Sequence, residues 1–194
     1  MTRTAQLSRL TTEVGIEGAV TLDGTGISEV STGLGFLDHM LTAYSKHGQF
    51  DITLAVEGDT EVDDHHTVED CAIALGRGFN LALGDRRGIE RFGSAYVPLD
   101  EALVRVVVDL SGRGWPEVHL PFGREMVGDV ATENIVHFFR SFAVEGRLAL
   151  HVDAIRGDNS HHVAEASFKA LARAMRTAVQ ISGEDIPSTK GTLT

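Results

Sequence analysis

His65-His-Thr-Val-Glu69 and His161-His-Val-Ala-Glu165 carry one pattern, HHxxE, in two copies 96 residues apart. In a chain of 194 residues with nine histidines, a single copy is expected by chance only about 0.03 times. Two copies by accident is on the order of one in a thousand. The repeat therefore reads as an internal duplication, which settles more about the fold than any single element can.

The flanking sequence keeps the register. Phe50, Ile52, Leu54 and Val56 alternate with polar or small residues, as in a half-buried strand, and Leu148, Leu150, Val152 and Ala154 do the same 98 residues on. Ahead of each strand stands a helical stripe: Phe36, Leu37, Met40, Leu41 and Tyr44, then Ile135, Phe138, Phe139 and Phe142. His39 and His137 lie in these two helices, again 98 apart. The offset drops from 98 to 96 before HHxxE, so the second loop is expected to be two residues shorter. Each HHxxE opens a further helix, with Asp64 and Ser160 as the expected N-caps. Upstream, Val14, Ile16, Val20 and Leu22 alternate, and a turn at Asp23-Gly24 leads to a short strand near Ile27–Val30. The second half opens with strands at Tyr96–Leu99 and Val104–Leu110. Each half thus reads ββαβα, over about residues 9–86 and 92–182, with a helix-breaking Gly84-Asp-Arg-Arg-Gly88 between them and a tail at 183–194. Two halves that each present one apolar sheet face and two amphipathic helices are expected to bury those faces together, as one α+β domain over residues 1–194.

Composition narrows the function. With 17 basic and 28 acidic side chains the formal net charge is −11, the wrong sign for a nucleic-acid binder. The single cysteine, Cys71, allows no intrachain disulfide and reads as a core residue. Met1-Thr-Arg-Thr-Ala-Gln6 has no apolar leader segment, and no apolar run approaches membrane-spanning length. The expectation is a soluble cytoplasmic protein that acts on a small molecule and engages neither nucleic acid nor membrane.

The histidines carry the chemistry. On a helix turning about 100° per residue, His65, Glu69 and His66 fall at roughly 0°, 40° and 100°, within one arc. Neutral imidazoles with a carboxylate suit Mn, Fe, Co, Ni or Zn. Adding His39 and His137 gives six histidines and two glutamates, enough for two four-ligand sites. Capped helices with solvent-facing histidines would explain one HHxxE, but not two in register. His47 is a further site candidate, whereas His119 and His151 alternate with apolar strand residues and read as surface positions. Gly33-Leu-Gly35 lacks the third glycine of a dinucleotide loop, and there is neither a Walker loop nor a Gly-x-Ser-x-Gly elbow. A dimetal hydrolase and a metal-storage or metal-sensing shell remain open on these residues alone.

Gly35-Phe-Leu-Asp-His-Met-Leu41, Asp63-Asp-His-His-Thr-Val-Glu-Asp70, Asp109-Leu-Ser-Gly-Arg113, Gly157-Asp-Asn-Ser-His-His-Val-Ala-Glu165 and Pro187-Ser-Thr-Lys-Gly191 closely resemble the imidazoleglycerol-phosphate dehydratases. The resemblance runs from about Arg9 to Gly191. It implies a monofunctional lyase of histidine biosynthesis that converts imidazole glycerol phosphate to imidazole acetol phosphate. It implies helices layered between two four-stranded sheets, and a homo-oligomer, a 24-mer built of trimers, whose sites are completed between subunits. It further implies two Mn²⁺ per chain on His39, His65, His66, Glu69, His137, His161, His162 and Glu165, with Glu13 as proton shuttle on the polar side of the first strand. Candidates for the substrate are His47, Arg91, Arg113, Lys169, Ser188 and Lys190, since phosphate needs cations in an otherwise acidic chain. The proton to be lost has no neighbouring carbonyl to acidify it. A substrate imidazole bridged between two Mn²⁺ ions as imidazolate would supply the electrons that expel the hydroxyl, which makes a paired site a chemical requirement.

Overall fold

The computed structural model describes residues 2–193. The first half runs β1 (Thr4–Leu10), β2 (Val14–Thr21), β3 (Ser28–Ser31), α1 (Gly35–Gly48), β4 (Asp51–Gly58) and α2 (His65–Leu83). The second runs β5 (Phe92–Leu99), β6 (Ala102–Asp109), β7 (Trp115–His119), a small hairpin of β8 (Met126–Val127) and β9 (Val130–Ala131), α3 (Thr132–Glu145), β10 (Ala149–Arg156) and α4 (Ser160–Ala178). The halves form two four-stranded sheets of one topology, β1-β2-β4-β3 and β5-β6-β10-β7. In each, the last strand pairs parallel and the others antiparallel.

The ββαβα reading is corrected to βββαβα. The two strand pairs read from sequence were not equivalent: β2 and β3 in the first half, β5 and β6 in the second. The missing β1 and β7 have a common reason. β1 buries only Ala5 and Leu7 while leaving Leu10 86% exposed, and β7 buries only Val118 while exposing Trp115. Each lies at a sheet edge, where one good inward residue suffices and apolar alternation is weak. The first half also begins ahead of the expected start near residue 9, at Thr4.

The helices pair across the halves. α2 lies on β1 and β2, α4 on β5 and β6, while α1 packs against α4 and α3 against α2. Close approach of α2 to α3 needs a glycine at 76, where a Cβ would stand 2.7 Å from the Phe142 carbonyl oxygen and 2.9 Å from the Gly146 nitrogen. Between the pairs sits an aromatic cluster in which Phe79 meets Phe50, Phe142 and Tyr44 at centroid distances of 4.9, 5.6 and 5.8 Å. Cys71 is fully buried in the same core, as expected, and burial raises its thiol pKa.

The tail is strapped to the linker between the halves. Arg87 donates to the Glu184 carbonyl, Gly88 to that of Asp185 and Arg91 to that of Pro187. Arg86, only 2% exposed, donates to Asn80 Oδ1 and to the carbonyls of Leu110, Gly146 and Leu193. Burial pulls its guanidinium pKa down to about 10. These contacts fix residues 184–193 at the C-terminal ends of α2 and α4. Among the described residues no helix is long and apolar enough to cross a membrane.

Candidate functional site

Both HHxxE segments begin a helix under the same local control. Asp63 Oδ1 accepts the His65 N–H at 2.8 Å and Asn159 Oδ1 accepts that of His161 at 2.9 Å. These side chains satisfy amide donors that helix geometry leaves free. Asp64 holds the expected N-cap position of the first of these helices but makes no side-chain cap bond, while the cap of the second is Asn159, one residue before the expected Ser160. Asp64 instead accepts the Ala131 N–H, and Ser160, already helical, accepts that of Gly123. Each helix start is thereby tied to the segment leading into α3.

From these starts the side chains converge in two groups. His39 of α1 meets His161 and Glu165 of α4, and His137 of α3 meets His65 and Glu69 of α2. In each group one donor atom per residue lies within 4.8 Å of the others. His161 Nε2 is 3.1 Å and His39 Nε2 3.4 Å from Glu165 Oε2, while His137 Nε2 is 2.9 Å from Glu69 Oε1. Every group takes its lone histidine from one half and its His–Glu pair from the other. This follows from α1 pairing with α4, and α2 with α3.

The second histidine of each motif joins neither group, contrary to the helical-arc reading. His66 Nδ1 faces Asp59, 3.1 Å from Oδ2, and its Nε2 is 3.9 Å from Glu13. His162 Nδ1 faces Glu101 Oε2 at 2.7 Å. A 100° step along the helix suffices to aim these rings at loop carboxylates instead of the partner helix. His162, together with the Asn159 N–H, pulls the Glu101 carboxyl down to about 2. The Asp59 contact raises the His66 pKa. Burial would raise Glu165, but Lys169, His161 and His39 outweigh it and hold that carboxyl at about 2.

The remaining candidates divide between the two ends of the molecule. Lys169 Nζ bonds Glu165 Oε1 at 2.6 Å, so it belongs to the first group. His47, further along α1, is exposed, and partial desolvation on its protein-facing side together with Lys169 and Arg173 lowers its pKa. Arg91, Ser188 and Lys190 lie at the opposite end, and there Arg91 is committed to Asp109 at 2.7 Å and to the tail. Arg113 is exposed in the loop before β7, beside the Gly112 carbonyl that Arg147 holds. Ala178 lies 17 residues beyond His161 along α4, about 26 Å at 1.5 Å per residue. Glu13 lies in the β1–β2 turn, not on the strand itself, with a half-exposed side chain.

Three residues important to this geometry escaped the sequence reading: Asp59, Glu101 and Asn134, the last of which accepts from His65 Nδ1 at 2.9 Å. Glu101 and Asn134 act on histidines 61 and 69 positions away, so no local periodicity marks them. A clue to Asp59 was present: Gly-Asp stands at the end of both inner strands, as Gly58-Asp59 and Gly157-Asp158.

The family model described as imidazoleglycerol-phosphate dehydratase matches residues 32–175. A relative of that name from Phaffia rhodozyma is 54% identical over 98% of this chain and 96% of its own length. One from Phytophthora nicotianae is 58% identical over 98% of this chain, which spans only 42% of that longer protein. The crystal structure of imidazoleglycerol-phosphate dehydratase from Staphylococcus aureus superposes with a TM-score of 0.84 at 36% identity, covering 92% of this chain and 99% of the other. That from Pyrococcus furiosus, in complex with (S)-C348, gives 0.84 at 32% identity over 96% and 100%.

Proposed function

Since the chain belongs to the imidazoleglycerol-phosphate dehydratase family, we propose that it dehydrates imidazole glycerol phosphate to imidazole acetol phosphate, as a histidine-biosynthetic enzyme with two Mn²⁺ per chain. The observation that carries this reading is the pair of like-built His₂Glu groups, each with donors within 4.8 Å. Two imidazoles and a carboxylate suit a divalent transition ion. His39, His161 and Glu165 would hold one ion, and His65, Glu69 and His137 the other. His66 and His162 are the remaining two of the eight proposed ligands, and would complete four-donor sites on neighbouring copies. Two bound Mn²⁺ would supply positive charge at both nitrogens of a substrate imidazole, so that the ring can release electrons toward the departing hydroxyl.

The protein's own groups have distinct tasks around that ring. Glu69 and Glu165 bring negative charge to each group, and the Lys169 ion pair fixes the Glu165 carboxylate in the orientation that faces His39 and His161. Among the described residues the Glu13 carboxylate has no hydrogen-bond partner, and it stands 3.9 Å from His66 Nε2, so it would be free to take and return the carbon-bound proton. Phosphate would be held by Ser188 and Lys190, with Arg91 bracing the tail. Because these lie about 26 Å along α4 from His161, they would serve the site of another copy. A homo-oligomer is thus part of the proposal, the 24-mer of trimers being its expected form.

The deciding experiment is a dehydration assay on apo and Mn²⁺-loaded protein, following the ketone product and inorganic phosphate together. Ketone formed only with metal is the expected result. Phosphate release without ketone would replace this reading with a dimetal hydrolase.

A further inference from the structure

The carboxylates that hold His66 and His162 come from different places in the repeat. The antiparallel registers of β2 with β4 and of β6 with β10 match at an offset of 88, which makes Glu13 of the β1–β2 turn the counterpart of Glu101 in the β5–β6 turn. In β10 the register shifts between Ala154 and Arg156, so one extra residue enters before the loop. Beyond it Gly157-Asp158 corresponds to Gly58-Asp59. Equivalent positions would therefore pair Asp158 with His162, yet Glu101 takes that place at 2.7 Å, and the Asp158 side chain has no hydrogen-bond or ion-pair partner among the described residues.

Loop length explains the exchange. Five residues, 60–64, separate Asp59 from His65, whereas only two, 159 and 160, separate Asp158 from His161. The longer loop lets Asp59 turn back on the helix it precedes. The shorter one carries Asp158 past the helix start, and its own N–H donates to Glu101 Oε1 at 3.3 Å, beside that of Asn159 at 2.9 Å. Glu101 is thus bound by the loop through one oxygen and by His162 through the other.

We infer that Glu101 is a positioning residue for His162, taking in the second half the role that Asp59 has in the first, and that this exchange leaves Glu13 and Asp158, the positional counterparts of Glu101 and Asp59, without an orienting task. The inference rests on the proposed metal sites. A carboxylate facing Nδ1 requires the proton there, which leaves the Nε2 lone pair for an ion. Glutamine at 101 keeps an oxygen for the two loop amides but turns its NH₂ toward His162. The ring then meets a donor at Nδ1, its proton moves to Nε2, and the metal-binding lone pair is lost.

The test is a titration of Mn²⁺ against a chelator on the full-length protein, with helicity and apo melting temperature measured alongside. Glu101→Gln should weaken half of the bound Mn²⁺ about 10- to 100-fold, as loss of such outer partners does, with the apo protein melting as wild type. Asp59→Asn should weaken the other half equally, and Glu13→Gln should leave Mn²⁺ affinity unchanged. Wild-type affinity in Glu101→Gln, or an equal loss in Glu13→Gln, overturns the inference. So does a lowered apo melting temperature in Glu101→Gln, which would make Glu101 a brace of the fold. Wild-type protein that retains no Mn²⁺ would instead refute the metal sites themselves.

Discussion

Lys190→Ala and Glu165→Gln, placed in separate chains and then assembled together, should give more turnover at low substrate than either variant shows alone. The expectation comes from helix length: Glu165 lies at the N-terminal end of α4, and the tail is fixed at its C-terminal end by Arg86, Arg87 and Arg91. A lysine side chain reaches about 6 Å, far short of the roughly 20 Å left along α4 from Glu165. Removing a cation from a phosphate costs about 1.5–3 kcal/mol, so Lys190→Ala alone should raise KM by about 10- to 150-fold with Mn²⁺ content unchanged. Glu165→Gln alone should abolish turnover through the metal group. In a randomly mixed 1:1 assembly, a site that takes Glu165 from one chain and Lys190 from another is intact in about a quarter of cases. If both came from the same chain, no intact site could form. The assay is turnover at low substrate after co-expression, with assembly size checked by light scattering. A mixture no more active than the mean of its two parents would refute the shared tail.

Two further outcomes are expected. Glu69→Gln and Glu165→Gln should each reduce kcat by several orders of magnitude per assembled chain, and the double variant should be hardly worse, since members of one catalytic unit are strongly non-additive; near-normal turnover in either single variant would exclude a paired site. Asp51→Asn should lower stability in the apo protein by about 1–2 kcal/mol near neutral pH, because a charged acceptor of three backbone N–H bonds is lost. Burial pushes the Asp51 carboxyl up, but the Ile27, Thr25 and Gly26 amides outweigh it and hold the pKa below 3.8. That contribution is therefore present above 3.8 and fades as pH falls through the lowered value, so urea midpoints of the two proteins should converge in acid.

The duplication was legible because its apolar stripes are long and its HHxxE copies are rare. Inner strands β4 and β10 and all four helices bury enough of one face to leave a period in the sequence. Edge strands β1 and β7 do not, because Ala5 and Leu7, or Val118 alone, are all they contribute. The two-residue difference between the loops was visible, but it combined a β10 irregularity with a shorter loop, and only pairing register separates the two. The bonding side chain lies one residue before the expected one at both helix starts for a similar reason: Asp63-Asp64 and Asn159-Ser160 both offer two acceptors, and tertiary partners for Asp64 and Ser160 decide between them.

The candidate donors were readable as residue types, whereas their grouping was not. A helical wheel places His65, Glu69 and His66 on one arc but says nothing about what faces that arc. Here α3 faces the first part of it and the loop carrying Asp59 the rest, so the arc divides into an inward pair and one histidine turned aside. The same division in the second half leaves two three-donor groups and two oriented histidines in each chain. That is the right number of donors for two four-donor sites, yet neither group holds four. Had α1 paired with α2 and α3 with α4, each half could have gathered its own histidines, and a chain would have had no need of neighbours. Exchange of helices between the halves is thus the feature from which a metal-dependent assembly is expected to follow, with binding of the ions, association of the chains and turnover linked in one equilibrium.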